Sequence, residues 1–210
     1  MAEQKEEKMT RAQKSALTRE KIISTGFELL KEYGYSQLTV RNICERAQVS
    51  TGSFYHFYKS KDDLMSEFLK TDEWADLMKD PDDIVEYIIF GYKRLIDSYE
   101  KMGLEFVANF YTANNQSFNY YTRTAGGFAS DLIKPRLIRA REEGYVRNDL
   151  PIDQMQYEIQ VIVIGNIFQW CVVKGAIDIR LNLDHMLREH LLTNVITEKY
   201  KITFNQSKTE

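Results

Sequence analysis

Four small residues at positions 50–53, Ser-Thr-Gly-Ser, stand just before the pair Tyr55-His56, and Lys61 follows five residues later. At the start of a short helix, hydroxyl groups and free backbone N–H groups can donate to phosphate oxygens and base edges. Long aromatic and basic side chains nearby can reach the backbone of a nucleic acid. The chemistry that this cluster indicates is therefore recognition of a polyanion.

The sequence offers no comparable constellation for catalysis or metal binding. It contains no GxSxG, Walker-type or GxGxxG motif. Of the three histidines, His185 and His190 are five residues apart, which is not a ligand spacing on one helical face. The cysteines, Cys44 and Cys171, have no ligating neighbours and fit reduced thiols. We expect no enzyme activity, no metal and no cofactor.

The elements that would carry the polar cluster are three closely spaced helices. Apolar residues recur with a helical period over residues 18–33, and Gly34 follows as a stop. Thr39 is a suitable N-cap for a short second helix, and Ser50 or Thr51 for a third. Two short helices separated by about three residues are the spacing of a helix-turn-helix. The cluster would then lie on its second helix.

The remainder predicts a larger helical body. A fourth helix is expected after Ser60, with Leu64, Met65, Phe68 and Leu69 on one face. Further helices are expected over about 84–103, 104–114, 117–143 (with a kink or split at Pro135), 151–174 and 183–199. No convincing strand is found, so the predicted fold is all-α with about nine helices. The predicted organisation is a flexible arm (1–14), a helix-turn-helix domain (15–62), a helical effector-binding and dimerisation domain (63–202) and a loose tail (203–210).

Charge is distributed unevenly between these parts. Residues 1–61 hold eleven Lys or Arg against seven Glu, whereas the rest holds seventeen against twenty-four acids, and the whole chain carries −3. A basic first third on an acidic remainder suits a nucleic-acid-binding head on a non-binding body. There is no apolar run of spanning length and no apolar leader, so we expect a cytoplasmic protein with no membrane partner.

Residues 39–64, TVRNICERAQVSTGSFYHFYKSKDDL, closely resemble the N-terminal domain of the TetR/AcrR family of transcriptional regulators, and the resemblance covers about residues 15–66. It implies a dimeric repressor that binds a pseudo-palindromic double-stranded DNA operator and responds to a small effector. It also implies phosphate contacts from the second helix, base contacts centred on Ser53 and His56, and backbone clamps at Tyr55 and Lys61. The implied DNA-binding residues are Thr39, Arg41, Ser50, Thr51, Gly52, Ser53, Tyr55, His56 and Lys61.

Two positions depart from the family pattern. Gln48 stands in the turn where the family commonly has glycine, so a positive φ there would carry a small cost. Phe57 stands where a hydroxyl or imidazole is common, which would remove one phosphate contact unless Tyr58 replaces it.

By the same resemblance, the C-terminal helices would bind the effector and form the homodimer. Aromatic residues with polar tips are a candidate pocket for an uncharged or lipophilic molecule, although aromatic residues at helical spacing are more often core. The candidate effector residues are Phe106, Phe110, Tyr111, Asn114, Tyr121 and Trp170. The candidate dimer residues are Ile159, Ile162, Val163, Asn166, Trp170, Leu187, Leu191 and Asn194. These could instead cover only the chain's own core.

Two other functions stay open at this point. The protein could be a DNA-binding module whose helical body docks a protein partner without a small ligand. It could also be a helical carrier or enzyme with a vestigial head.

Overall fold

The computed structural model describes residues 9–67, 83–111 and 132–205, and the chain divides into two compact units at Phe68–Leu69. The described residues contain ten α-helices and a single isolated β-bridge between Val146 and Ile196. The all-α prediction is confirmed. None of the described helices is both long enough and apolar enough to span a membrane.

The described part of the first unit is a bundle of four helices. They are α1 (Arg11–Tyr33), α2 (Val40–Ala47), α3 (Thr51–Phe57) and α4 (Lys61–Ser66). Helix α1 packs against the other three, and α2 packs against α3. Fully buried apolar side chains join them, among them Ile22, Leu38, Ile43, Phe54 and Leu64.

Both edges of this unit differ from the expected domain limits. Helix α1 begins at Arg11, inside the expected arm, because Thr10 and Gln13 form a reciprocal capping box. Helix α4 belongs to the first unit, beyond the expected limit at residue 62, because Leu64 and Met65 are buried against α1. A Cβ at Gly26 would lie 2.8 Å from Leu64 Cδ2, so glycine permits this close approach.

The second unit is a larger helical bundle. Its described helices are α5 (Ile84–Met102), α6 (Leu104–Phe110), α7 (Lys134–Glu142), α8 (Ile152–Val172), α9 (Ile179–His190) and α10 (Glu198–Asn205). Helix α8 packs against α6, α7 and α9, and α5 packs against α6, α7 and α9. Pro135 lies in the first turn of α7, where its missing N–H costs no hydrogen bond.

The last helices differ most from the prediction. Helix α9 begins at Ile179 rather than near Leu183, because the Asp178 side chain accepts from the Leu181 N–H as an N-cap. A π-helical turn, Leu191–Val195, and an extended residue then end it before the predicted limit at residue 199. Helix α10 follows and includes residues 203–205, which were expected to be a loose tail.

Candidate nucleic-acid interface

Helices α2 and α3 form the predicted helix-turn-helix. Thr39 caps α2 as predicted: its hydroxyl accepts from the Asn42 N–H at 3.1 Å, and the Asn42 side chain accepts from the Thr39 N–H at 2.9 Å. Ile43, Ala47 and Phe54 are fully buried between the helices. The two helices are therefore held at a fixed angle by core residues, and their polar residues remain on the outside.

Gln48 makes the turn between the two helices in the left-handed region, with φ 54° and ψ 45°. Its N–H group donates to the carbonyl oxygens of Cys44 and Glu45, and the Val49 N–H donates to Cys44 at 3.0 Å. These bonds satisfy the last carbonyls of α2. The positive φ expected from the family pattern is confirmed, and the chain adopts it with a residue that has a Cβ.

The small residues lie at the start of α3. Ser50 is the N-cap, and its hydroxyl accepts from the Ser53 N–H at 3.0 Å and lies 2.9 Å from the Ser53 hydroxyl. Thr51 and Gly52 are exposed. A Cβ at Gly52 would find only Ser50 Oγ within 4 Å, at 3.7 Å. The protein itself therefore has room for a side chain at position 52, so its own packing does not require glycine there.

Tyr55 and His56 follow on the outer surface of α3, and 59% of Tyr55 is exposed. The Tyr55 ring packs edge-on against the buried Phe54 ring with 5.5 Å between centroids, and this contact restrains the exposed ring. Tyr58 differs, because it is 3% exposed and burial raises its pKa to about 12. It cannot reach a phosphate, so it does not replace the contact that Phe57 lacks.

Arg41 is the most open of the basic candidates. Its side chain is 86% exposed, and its Nε donates to the Glu45 carboxylate at 2.8 Å, one turn further along α2. An exposed pair of this kind holds its partners weakly. Arg41 can therefore exchange Glu45 for a phosphate at little cost.

Lys61 is directed into the protein. Its Nζ donates to the carbonyl oxygens of Tyr35 at 3.1 Å and Leu38 at 3.0 Å, and lies 4.0 Å from the centre of the Tyr35 ring. The ammonium thus binds the segment between α1 and α2, a role that sequence reasoning missed. No local sequence pattern predicts these two hydrogen bonds, because the acceptors are 26 and 23 residues away.

The amino-acid sequence of this chain is similar to those of known bacterial regulatory proteins. Residues 22–68 match the family model described as bacterial regulatory proteins, tetR family. The chain is 24% identical over 147 residues to the transposon Tn10 TetC protein of Escherichia coli, covering 62% of this chain and 73% of that protein. It is 40% identical over 50 residues to the transcriptional regulator AcuR of Cereibacter sphaeroides, covering 24% and 23%.

The whole fold has solved counterparts as well. Thermus thermophilus FadR, a TetR-family transcriptional repressor solved in complex with lauroyl-CoA, superposes with a TM-score of 0.65 over 83% of this chain and 93% of that chain, at 19% identity. The first unit is therefore similar to the N-terminal domain of the tetR family over residues 22–68. The chain as a whole shares the fold of the Thermus thermophilus protein.

The structure describes four of the six effector residues inferred from the sequence. Phe106 and Phe110 are buried and stacked on each other at 5.9 Å, and the Tyr111 hydroxyl lies 2.7 Å from that of Tyr99. Trp170 is buried on α8. This packing favours the core interpretation for the two phenylalanines. Asn114 and Tyr121 lie outside the described residues.

The dimer residues inferred from the sequence are mostly covered by the chain itself. Ile159, Val163 and Trp170 of α8, with Leu187 of α9 and Leu191 after it, are buried because α8 and α9 pack against each other. The remaining three candidates differ in exposure. Ile162 is half-buried, Asn166 is buried with its amide donating to the Ile162 carbonyl at 2.9 Å, and Asn194 is exposed.

A different set of apolar side chains on α8 faces outward. Tyr157, Val161, Phe168 and Val172 are each at least half exposed, and they recur with helical spacing on one face. Gly165 lies on the same face with nothing within 4 Å of its Cβ position. We call these five residues the outer face of α8.

Proposed function

We propose that this chain is a TetR-family regulator that acts as a homodimeric repressor, that residues at the start of α3 read its operator, and that a small molecule in the second unit modulates binding. The observation that carries the proposal is the exposed, hydroxyl-rich start of α3, with Tyr55 and His56 beside it and Arg41 on α2. Hydroxyl, amide and guanidinium donors of this kind suit phosphate oxygens and base edges.

Gly52 gives the proposal its sharpest test. A methyl group at position 52 meets no obstacle inside the protein, and alanine favours a helix over glycine by up to about 1 kcal/mol. If α3 enters the major groove by this end, the same methyl group separates backbone from DNA. Gly52→Ala should therefore fold at least as stably as the wild type while binding DNA more weakly.

The experiment is a selection of genomic fragments with the purified full-length chain at moderate salt. Wild type is compared with Gly52→Ala, with a Ser53→Ala/Tyr55→Ala double variant, and with Thr203→Ala as a control on α10. We expect wild type and the control to enrich one short pseudo-palindrome and both head variants to lose it. Equal enrichment by all four proteins would contradict the proposed interface.

The outer face of α8 supports the homodimer. Two reading heads are needed for a pseudo-palindrome, whose half-sites lie about one helical turn apart. An exposed apolar stripe on a long helix suits burial against a second copy, and Gly165 would let the two helices approach closely.

Light scattering on the full chain tests this assembly. Val161→Lys or Phe168→Lys should convert the dimer into a monomer, because each would bury an unpaired charge in the interface. Ile202→Lys is the matched control, since Ile202 is exposed on α10 to a similar degree. A monomeric wild type, or dimers that survive both α8 changes, would exclude this face.

The third part of the proposal is that the second unit binds a small-molecule effector. The family architecture supports it, as does the lauroyl-CoA complex of the Thermus thermophilus relative. An effector regulates DNA binding only if it has different affinities for the DNA-competent and DNA-incompetent states. Titration of candidate molecules against the wild type bound to its selected fragment measures that difference as a shift in operator affinity.

A further inference from the structure

The segment between α1 and α2 leads directly into the end of α2 that carries the candidate phosphate contacts. It forms a turn over residues 35–38, closed by a hydrogen bond from the Leu38 N–H to the Tyr35 carbonyl oxygen at 3.2 Å. Thr39, the N-cap of α2, follows at once, and both Thr39 and Arg41 are exposed. A change in the path of this turn would therefore move both side chains.

Helix α4 holds the turn from one side through Tyr35. The Tyr35 hydroxyl donates to the carboxylate of Asp62, and the Lys61 ammonium lies 4.0 Å from the centre of the same ring. Tyr35 is only 8% exposed, so water has little access to it, and a hydrogen bond to a charged acceptor is one of the stronger kinds. One side chain thus contacts two consecutive residues in the first turn of α4.

Helix α2 holds the same turn from the other side. The Asn42 side chain donates through Nδ2 to the Gln37 carbonyl oxygen at 2.8 Å and accepts through Oδ1 from the Thr39 N–H at 2.9 Å. Three carbonyl oxygens of the turn therefore accept from side chains of α2 or α4. The bond between Tyr35 and Asp62 can be deleted without removing an aromatic ring from the core.

We propose that Tyr35 is a positioning residue for the α2 end of the DNA interface. Its hydroxyl, bound to Asp62, fixes the turn against α4 and so places Thr39 and Arg41 relative to the start of α3. A binding constellation must be held within about 0.5 Å of its productive geometry by residues that are themselves packed and hydrogen-bonded. Tyr35 is buried, so it acts on DNA only through α2. The bond to Asp62 does not involve Lys61, so the turn keeps this restraint when the lysine is changed.

Three variants at positions 35 and 62 distinguish a change of position from a change of charge. Tyr35→Phe keeps the ring beside Lys61 and removes only the hydroxyl group. It should weaken binding of the selected operator by roughly fivefold, the scale of one weakened charge-assisted contact. Asp62→Asn and Asp62→Ala remove the same negative charge, which by electrostatics alone would strengthen binding to DNA. Only asparagine keeps an acceptor for the Tyr35 hydroxyl, so Asp62→Asn should bind at least as tightly as the wild type and more tightly than Asp62→Ala.

A double-mutant cycle with Arg41→Gln tests whether Tyr35 acts through α2. If it does, Tyr35→Phe should cost less than about twofold in the Arg41→Gln background, because the contact that Tyr35 positions is already absent there. Tyr33→Phe is the matched control, since Tyr33 lies two residues earlier and is 53% exposed, and it should change the affinity by less than about twofold. An undiminished cost in the Arg41→Gln background, or equal affinities of the two Asp62 variants, would overturn the proposal.

Hydrogen exchange on the free full-length chain tests the same role without DNA. The Leu38 amide bonds within the turn, whereas the Phe54 amide bonds to Ser50 and reports opening of the head. In Tyr35→Phe, the protection of Leu38 should fall about tenfold while that of Phe54 changes by less than about threefold. Unchanged protection of Leu38, or equal losses at both amides, would also overturn the proposal. The positioning role rests on the proposed function: if the wild type selects no operator, that function fails, and the exchange of Leu38 alone then decides whether Tyr35 fixes the turn.

Discussion

Lys61 has two possible roles, and they predict opposite results for its substitution. The family resemblance implies a phosphate clamp, whereas the structure directs the ammonium to the carbonyl oxygens of Tyr35 and Leu38 and over the Tyr35 ring. Lys61→Met keeps the length and apolar stem of the side chain but removes the charge. If the structural role is correct, this change destabilises the head while leaving the number of phosphate contacts unchanged.

The size of the effect follows from the contacts. A hydrogen bond from a charged donor contributes roughly 1.5–3 kcal/mol when buried, and Lys61 is half-buried, so each bond is given about 1 kcal/mol. The cation–π contact adds about 0.5–1 kcal/mol. Together, Lys61→Met should lower the stability of the head by about 2–3 kcal/mol. Lys59→Met, an equal loss of charge at an exposed neighbour, should change it by less than about 0.5 kcal/mol.

Native-state hydrogen exchange on the full chain measures this loss. The amides of Ile43 and Phe54 lie in the head and bond to Thr39 and Ser50, so they report its opening. Their protection should fall roughly 30- to 150-fold in Lys61→Met. The logarithmic salt slope of operator binding should stay at the wild-type value. Unchanged protection, with a slope reduced by about 0.9 as for one lost phosphate contact, would refute the structural role.

Three other changes follow from single contacts or pKa shifts. Gln48→Gly should stabilise the head by about 1 kcal/mol in urea unfolding, because glycine removes the cost of φ 54°; a loss of stability would show that the Gln48 side chain makes a needed contact. Burial raises the pKa of Cys171 to about 11, so its alkylation by iodoacetamide should accelerate toward pH 11. The thiol ionises near pH 8.5 in the unfolded chain, so the stability that the buried neutral thiol contributes is complete below pH 8.5 and is lost as the pH rises toward 11. An alkylation rate that already reaches its maximum by about pH 9.5 would contradict the raised pKa. Tyr200→Phe should cost about 1–2 kcal/mol in urea unfolding, since the Tyr200 hydroxyl donates to the Asp83 cap at 2.5 Å, and Tyr145→Phe is its control; equal effects of the two changes would exclude that hydrogen bond.

Local signals were sufficient to predict the helix-turn-helix. The caps Thr39, Ser50 and Ser60 each bond to a backbone N–H three residues later, so the information lies within one turn of chain. The same is true of the glycine that ends α1 at position 34. The capping box of Thr10 and Gln13 is an equally local signal for the start of α1.

Contacts between distant segments could not be predicted in this way. Both acceptors of Lys61 lie more than twenty residues away, and nothing in the short motif distinguishes a lysine facing DNA from one facing the core. The ring of Phe204, which lies in a segment expected to be a loose tail, meets the Tyr145 ring edge-on with 5.3 Å between centroids. This contact exists because α10 packs beside the end of α7, where Lys199 donates to the Glu143 carbonyl oxygen, and periodicity within α10 does not reveal it.

Helix α8 shows why its sequence does not distinguish a dimer interface from the chain's own core. A helix that covers one core needs one apolar stripe, and Ile159, Val163 and Ile167 supply it here. The outer face adds a second stripe, including Val161 and Phe168, so apolar residues surround the helix and the sequence does not distinguish the two. Exposed apolar residues gain nothing in an isolated chain and promote association. The inner stripe is therefore explained by the fold itself, and the second stripe is the surface on which we propose that a second copy of the chain packs.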